Sequence, residues 1–148
     1  MIDVPARLHA STGFVGTLGP RVLTSGRAGA TLRLDAGPHL HNHVGGPHAA
    51  VIFGLGETAA FAVLLEVFGD LVETGGAVPL VKSVEIAYTG IATGPLLAAA
   101  TFADDEESAR ASYATRCSAS FGVEVVFRRE ADDAETARAA YRMALKRL

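Results

Sequence analysis

The stretch HLHNHVGGPHAA (residues 39–50) holds four histidines, an asparagine and a Gly-Gly-Pro turn directly ahead of the longest apolar run in the chain. In extended backbone His39, His41 and His43 project to one side, the spacing a metal ion wants. No carboxylate or cysteine accompanies them, and Gly37, Pro38 and the Gly-Gly-Pro turn favour irregular backbone. Loop histidines satisfied by water or backbone are therefore the preferred reading, and no metal is expected. His48 differs because it stands where a helix begins, beside N–H groups without intrahelical partners and at the positive end of the helix dipole. Such a helix start can polarise a carbonyl oxygen as an oxyanion hole does, if a nucleophile or base stands nearby.

Glu57 is the one ionisable side chain between Ala49 and Leu65. A carboxylate on a buried helix costs several kcal/mol, in order of magnitude, unless it is paired or neutralised, so the position calls for an explanation. The ordinary one is a hydrogen bond to a loop or a strand end; the chemical one is a base or nucleophile. Glu57 lies nine residues beyond His48, about 13 Å along one helix. One chain's helix start therefore cannot easily meet its own Glu57, whereas two subunits related by a two-fold axis could bring these halves together.

The elements that must hold these groups follow from hydrophobic periodicity. Residues 1–16 show a weak signal for a short helix, and RAGATLRLD (27–35) alternates as a strand does. Residues 37–47 read as loop, with Pro47 suited to a helix's first turn. A helix is predicted from about His48 to Asp70, ending before ETGGAVP. In PLVKSVEIAYTG (79–90), Leu80, Val84, Ile86 and Tyr88 share one face, and TGPLLAAATF (93–102) reads as the antiparallel return strand. DDEESARASYA (104–114) suggests a short surface helix with an acidic first turn. SFGVEVVFRR (120–129) places Phe121, Val123, Val125 and Phe127 on one face. The last segment is ambiguous: Ala137, Ala140, Tyr141, Ala144, Leu145 and Leu148 make a helical stripe, yet Tyr141, Met143 and Leu145 alternate with Arg142, Ala144 and Lys146. A preceding strand and a polar turn tilt it toward a hairpin partner. One long buried helix plus about five mostly antiparallel strands make an α+β domain.

The 148 residues suit a single domain, 1–148, with 49% apolar and 20% charged residues. A net charge of -3 offers no basic field for nucleic acid. Eight of the 13 basic residues, Arg110 through Arg147, fall in the last 39 positions, either as a solvated face or as an anion-binding strip. Cys117, the single cysteine, excludes an internal disulfide and lacks an activating motif. The N-terminus carries no secretory pattern, so a cytoplasmic protein is expected. Residues 49–68 have bilayer-spanning length, but Glu57, Gly54 and Gly56 interrupt the run and Glu66 lies near its end, so a buried helix rather than a membrane partner is predicted.

Asn42, Gly45, His48, Ala49, Ala50, Glu57 and Thr58, in the pattern N-x2-G-x2-H-[GA]-[GA]-x6-E-[TS], resemble the signature of hotdog-fold acyl-CoA thioesterases of the phenylacetic-acid-pathway and 4-hydroxybenzoyl-CoA type. The later VPLVKSVEIAYTGIATGPLLAAATF is similar to the strand pair that follows the central helix in that group. The resemblance covers roughly residues 14–147. It implies a hotdog fold, a long central helix wrapped by a mostly antiparallel sheet of five or six strands, with the last segment as a strand. It further implies a homodimer or homotetramer built by edge-to-edge sheet pairing, with active sites between subunits, acyl-CoA as substrate and no cofactor.

By the same resemblance Glu57 is base or nucleophile, the Ala49 N–H receives the thioester carbonyl, and Asn42 and His48 position the reacting groups. Gly45, Ala50, Thr58, Phe61 and Lys82 are assigned to substrate binding. The chain departs from the pattern at Ala49-Ala50, where many members have Gly-Gly, and at Phe61, where some relatives keep a hydroxyl. A hotdog protein that binds acyl-CoA or another apolar ligand without turnover is the second expectation. A hotdog dehydratase is a third, disfavoured because its motif is not found.

Overall fold

The computed structural model describes residues 3–11 and 13–148. Two short helices, α1 (Val4–Ser11) and α2 (Gly13–Leu18), precede the hairpin β1 (Arg21–Gly26) and β2 (Gly29–Leu34). The expected N-terminal helix is thus present as two pieces; residues 1, 2 and 12 lie outside the described residues. A 3-10 turn over Pro38–Leu40 leads to the long helix α3 (Ala49–Glu73). Then come β3 (Ala77–Tyr88), β4 (Leu96–Phe102), α4 (Glu106–Arg116), β5 (Ser118–Arg129) and β6 (Glu135–Arg147). The six strands form one sheet in the order β1-β2-β4-β5-β6-β3, antiparallel at every pairing.

The sheet wraps α3, which packs on β2, β3, β4 and β5. Inward alternation on β5 (Phe121, Val123, Val125, Phe127) and β6 (Ala137, Ala139, Tyr141, Met143, Leu145) covers one flank of the helix with buried side chains. The helix is long and apolar enough to cross a membrane, yet 78% of its most apolar window is buried inside the protein. It is the core of this fold, and that burial answers why so few of its positions are polar. Phe68, Phe102 and Phe121 cluster at its far end, with ring centroids 4.8 to 5.7 Å apart.

Four details differ from the sequence reading. β1 carries no legible alternation because neither of its faces is fully buried, so burial left no pattern there. β4 is not the return strand of β3: it pairs with β2 and β5, while β3 pairs with β6 at the sheet edge. Leu80 does not share a face with Val84 and Ile86. The β3–β6 register shifts between Val81 and Ser83, and one extra residue, Lys82, moves every earlier side chain to the opposite face. Leu80 is accordingly exposed whereas Val81, Val84 and Ile86 pack on the core. Finally, α3 runs past Asp70 to Glu73 and stops only where Thr74 N–H and Oγ1 both bond to Asp70 O, at 3.0 and 2.7 Å, ahead of Gly76 at φ +67°.

α3 is broken at Phe68, whose φ of -124° and ψ of 17° are not helical. Arg110 of α4 supplies the cause. Its Nη2 donates to Val67 O at 2.5 Å, its guanidinium grips Asp70 at 2.9 and 3.0 Å, and its Nε reaches Glu106 at 2.7 Å. The same group lies 5.2 Å over the Phe68 ring. An inserted donor of this kind draws a carbonyl out of the helical ladder, and only an arginine fork serves so many acceptors at once. Arg110→Ala is expected to lower stability by about 2 kcal/mol, read from the urea midpoint, with Arg110→Lys recovering a minor part.

Candidate active site

The loop before α3 is shaped by Asn42. Its N–H donates to Gly46 O at 2.7 Å and its O accepts from Gly45 N–H at 3.1 Å. Its side-chain Oδ1 accepts from Val44 N–H and Gly46 N–H at 3.0 and 3.2 Å, and Nδ2 makes a longer contact with Pro47 O at 3.4 Å. Gly45 sits at φ +81°, a backbone region that favours glycine. A Cβ on Gly46 would stand 1.9 Å from Ala92 O, so the chain can pass there only as glycine. Asn42 therefore builds the loop, and most of its polar capacity is spent inside it.

His39 lies within the 3-10 turn and the His41 Nε2–H donates to Ala36 O at 2.9 Å, so the one-sided extended spacing of the three histidines is not formed. Among the described residues no three His, Cys, Asp or Glu side chains gather as a metal site.

His48 takes the cap position of α3. Its N–H is held by Leu40 O at 2.9 Å, and its Nδ1 accepts from Ala50 N–H at 3.1 Å. Val51 N–H and Ile52 N–H both bond to His48 O, at 2.9 and 3.1 Å. Among the described residues the Ala49 N–H meets no acceptor, so it is the donor of this first turn left open, and Ala49 is exposed. Tyr88 Oη donates to Ala49 O at 3.0 Å and Tyr141 Oη to Phe53 O at 2.7 Å. Two tyrosines thus fasten successive turns of the helix start to the sheet.

Glu57 is half-buried, and its carboxylate makes no hydrogen bond or ion pair with a described residue. Burial pushes its carboxyl pKa above the ordinary value. It faces a cavity of about 610 Å³ lined by Leu8, Phe14, Val15, Phe53, Gly54, Thr58, Phe61 and Pro79. Burial, with the Glu57 charge adding to it, also raises the Tyr141 hydroxyl pKa. The Thr58 hydroxyl is buried and donates to Gly54 O at 2.7 Å.

The structure brings Glu57, Thr58 and Phe61 to one cavity, and Asn42, Gly45, His48, Ala49 and Ala50 to the helix start. Glu57 lies eight residues along α3 from Ala49, about 12 Å of rise, so the two groups of residues do not meet within one chain. Lys82 joins neither: it is exposed in the β3 bulge. Of the eight basic residues clustered late in the sequence, Arg110, Arg128, Arg129, Arg138 and Arg142 pair with carboxylates and Arg147 Nη2 donates to Gly75 O at 3.2 Å, whereas Arg116 and Lys146 form no ion pair with a described residue.

The sequence reading missed Phe14, Phe53, Tyr88 and Tyr141. Phe53 alone carried a signal, since positions 53, 54, 57, 58 and 61 form one helical stripe.

Similar proteins agree on the architecture. A probable thioesterase of unknown function, PA5026 from Pseudomonas aeruginosa, superposes with a TM-score of 0.79 at 22% identity, over 97% of this chain and 93% of that one. A thioesterase family protein from Silicibacter pomeroyi gives 0.76 at 13% identity, over 97% and 98%. A mutant of the thioesterase SAV0944 from Staphylococcus aureus gives 0.72 at 14%, over 91% and 99%. No curated protein matches the sequence. The long helix inside a six-stranded antiparallel sheet is the hotdog fold that these structures share. Residues 5–145 match the family model described as a domain of unknown function, DUF4442, and the chain belongs to that family.

Proposed function

We propose that this protein is a thioester hydrolase acting on acyl-CoA, with Glu57 as general base or nucleophile and the Ala49 N–H of a second subunit as oxyanion donor. The observation that carries the reading is Glu57 itself, a carboxylate with no partner among the described residues, facing an apolar cavity while an unused helix-terminal N–H waits in the same helix. Water attack on a thioester places negative charge on the carbonyl oxygen, which an N–H at a helix start stabilises. In the base route Glu57 takes a proton from water as the new C–O bond forms. It then returns that proton to the departing thiolate as the C–S bond breaks.

The distance along α3 supports a site shared between two subunits, and β3 offers the means. It is an edge strand of 12 residues with no neighbour on its outer side among the described residues, and strand addition between two copies would satisfy its open backbone groups. The phenylacetic-acid-pathway and 4-hydroxybenzoyl-CoA subgroup is suggested by the Asn42-to-Thr58 pattern. A cytoplasmic homodimer or homotetramer completes the reading.

The test is release of free CoA thiol from a panel of acyl-CoA esters by the wild type beside Glu57→Gln. Hydrolysis that the variant lacks supports the assignment; no thiol release from any ester, or an equally active variant, overturns it. A reading as a binding protein without turnover draws on one observation: Thr58 and Asn42 spend their polar groups internally, and Phe61 offers none, so nothing beside Glu57 steadies a water. Tight acyl-CoA binding without thiol release would select that alternative.

The pH profile should show the carboxylate. A base must be ionised, so kcat/KM should fall as pH drops through the Glu57 pKa. Burial raises that pKa, placing the acid limb above the ordinary glutamate range; Glu57→Gln removes the limb.

A further inference from the structure

We propose, building on the thioester reading, that the cavity beside Glu57 holds the acyl chain and that Phe14 on α2 closes its end, limiting chain length and admitting only unsubstituted apolar groups. The cavity of about 610 Å³ falls in the size range of ordinary small-ligand sites. Its described walls are Leu8, Phe14, Val15, Phe53, Phe61 and Pro79, all apolar side chains. Thr58 adds a hydroxyl, but that hydroxyl already donates to Gly54 O at 2.7 Å. Among the described lining residues Glu57 is thus the one side chain with polar capacity to spare, and the proposed chemistry uses it. A hydroxyl or charge further along the ligand would be buried without a partner, at the cost of its lost hydration.

Phe14 is placed to act as a stop. The helices α1 and α2 lie against α3, and Gly54 allows the aromatic ring to come down onto the helix backbone: a Cβ on Gly54 would stand 2.7 Å from Phe14 Cζ. The ring is nevertheless 57% exposed. It covers the cavity from outside the core, so trimming it lengthens the cavity without opening a void in the protein interior.

The experiment compares wild type and Phe14→Ala on a saturated series from butyryl-CoA to palmitoyl-CoA. Each buried methylene should raise kcat/KM about four-fold until the limit is met. In Phe14→Ala the limit should move to longer chains, raising the ratio for an ester two carbons beyond the wild-type limit by about ten-fold or more. A terminal hydroxyl on the best chain should cost about ten-fold in both proteins. An unchanged limit, or equal turnover of the hydroxylated chain, overturns the proposal. Displacement of anilinonaphthalene sulfonate by a series of 1-alkanols repeats the test without hydrolysis. If no acyl-CoA is cleaved, the thioesterase reading falls, while a length limit that Phe14→Ala extends upholds the cavity assignment. Alkanol affinities indifferent to length, or to Phe14, refute it.

Discussion

Glu57→Gln should lower acyl-CoA hydrolysis by about 10³-fold or more, measured as free-thiol release at saturating and limiting substrate. The substitution keeps the size and hydrogen-bonding shape of the side chain and removes its basicity. General acid–base groups contribute typically 10² to 10⁴ in rate, and a nucleophile lost outright costs at least as much. The same change should make the protein more stable at neutral pH. Burial raises the Glu57 pKa in the folded chain, so between its unfolded and folded values the native state binds the proton more tightly. Wild-type stability therefore declines as pH rises through that window, and the variant is spared the decline. Thermal unfolding at acid and neutral pH should show the two proteins converging at low pH and the variant melting higher at neutral pH. A variant both inactive and less stable at every pH would indicate a structural carboxylate instead.

Ala49→Pro tests the other half of the proposed chemistry. Ala49 is the first residue of α3, the helical position that accepts proline best because its N–H has no partner there. His48 already has φ -61° and ψ 148°, the extended conformation that a residue before proline requires. Neither the helix nor the loop loses a hydrogen bond, so stability should change by less than about 1 kcal/mol. If the Ala49 N–H receives the thioester oxygen, kcat should fall by about 10² to 10³, the usual cost of one oxyanion donor.

Because each site in this reading is assembled from Glu57 of one subunit and Ala49 of the other, the two inactive variants should complement. After subunit exchange in an equal mixture, half of the dimers are mixed and each mixed dimer holds one intact site, giving about a quarter of wild-type activity. A mixture no more active than its components would rule out the shared arrangement.

Much of the molecule was legible because burial writes itself into residue spacing. Phe121, Val123, Val125 and Phe127 announced β5 through strict alternation, and Glu57 stood out as a charge inside an apolar helix. His48 was readable as a helix start from the turn before it. The failures share a physical origin. β1 is mostly exposed, with only Val22 packed in part against the core, so burial imposes no alternation on it. Leu80 lies on the face opposite to the one its spacing predicts, because a bulge at Lys82 leaves no mark in the residue types on either side. The pairing of β3 with β6 joins segments distant in the chain, which periodicity cannot encode. Phe14 and Arg110 act across elements too, one over Gly54 and one at the break near Phe68, and neither has a local signature. The helix start predicts N–H groups without intrahelical partners, but that His48 claims those of Ala50, Val51 and Ile52 and leaves the Ala49 N–H open follows only from the folded loop.

The place of β6 between β5 and β3 has a bearing on synthesis. Residues 135–147 form an interior rib of the sheet although they leave the ribosome after every other element described. Until they arrive, β3 has no partner, β5 lacks one neighbour, and the flank of the central helix that Tyr141, Met143 and Leu145 later cover stays wet. The nascent chain must therefore carry a bare strand and a greasy helix from the completion of β3 at Tyr88 until β6 is made, a window in which chaperones or premature pairing with another copy compete for the same edge.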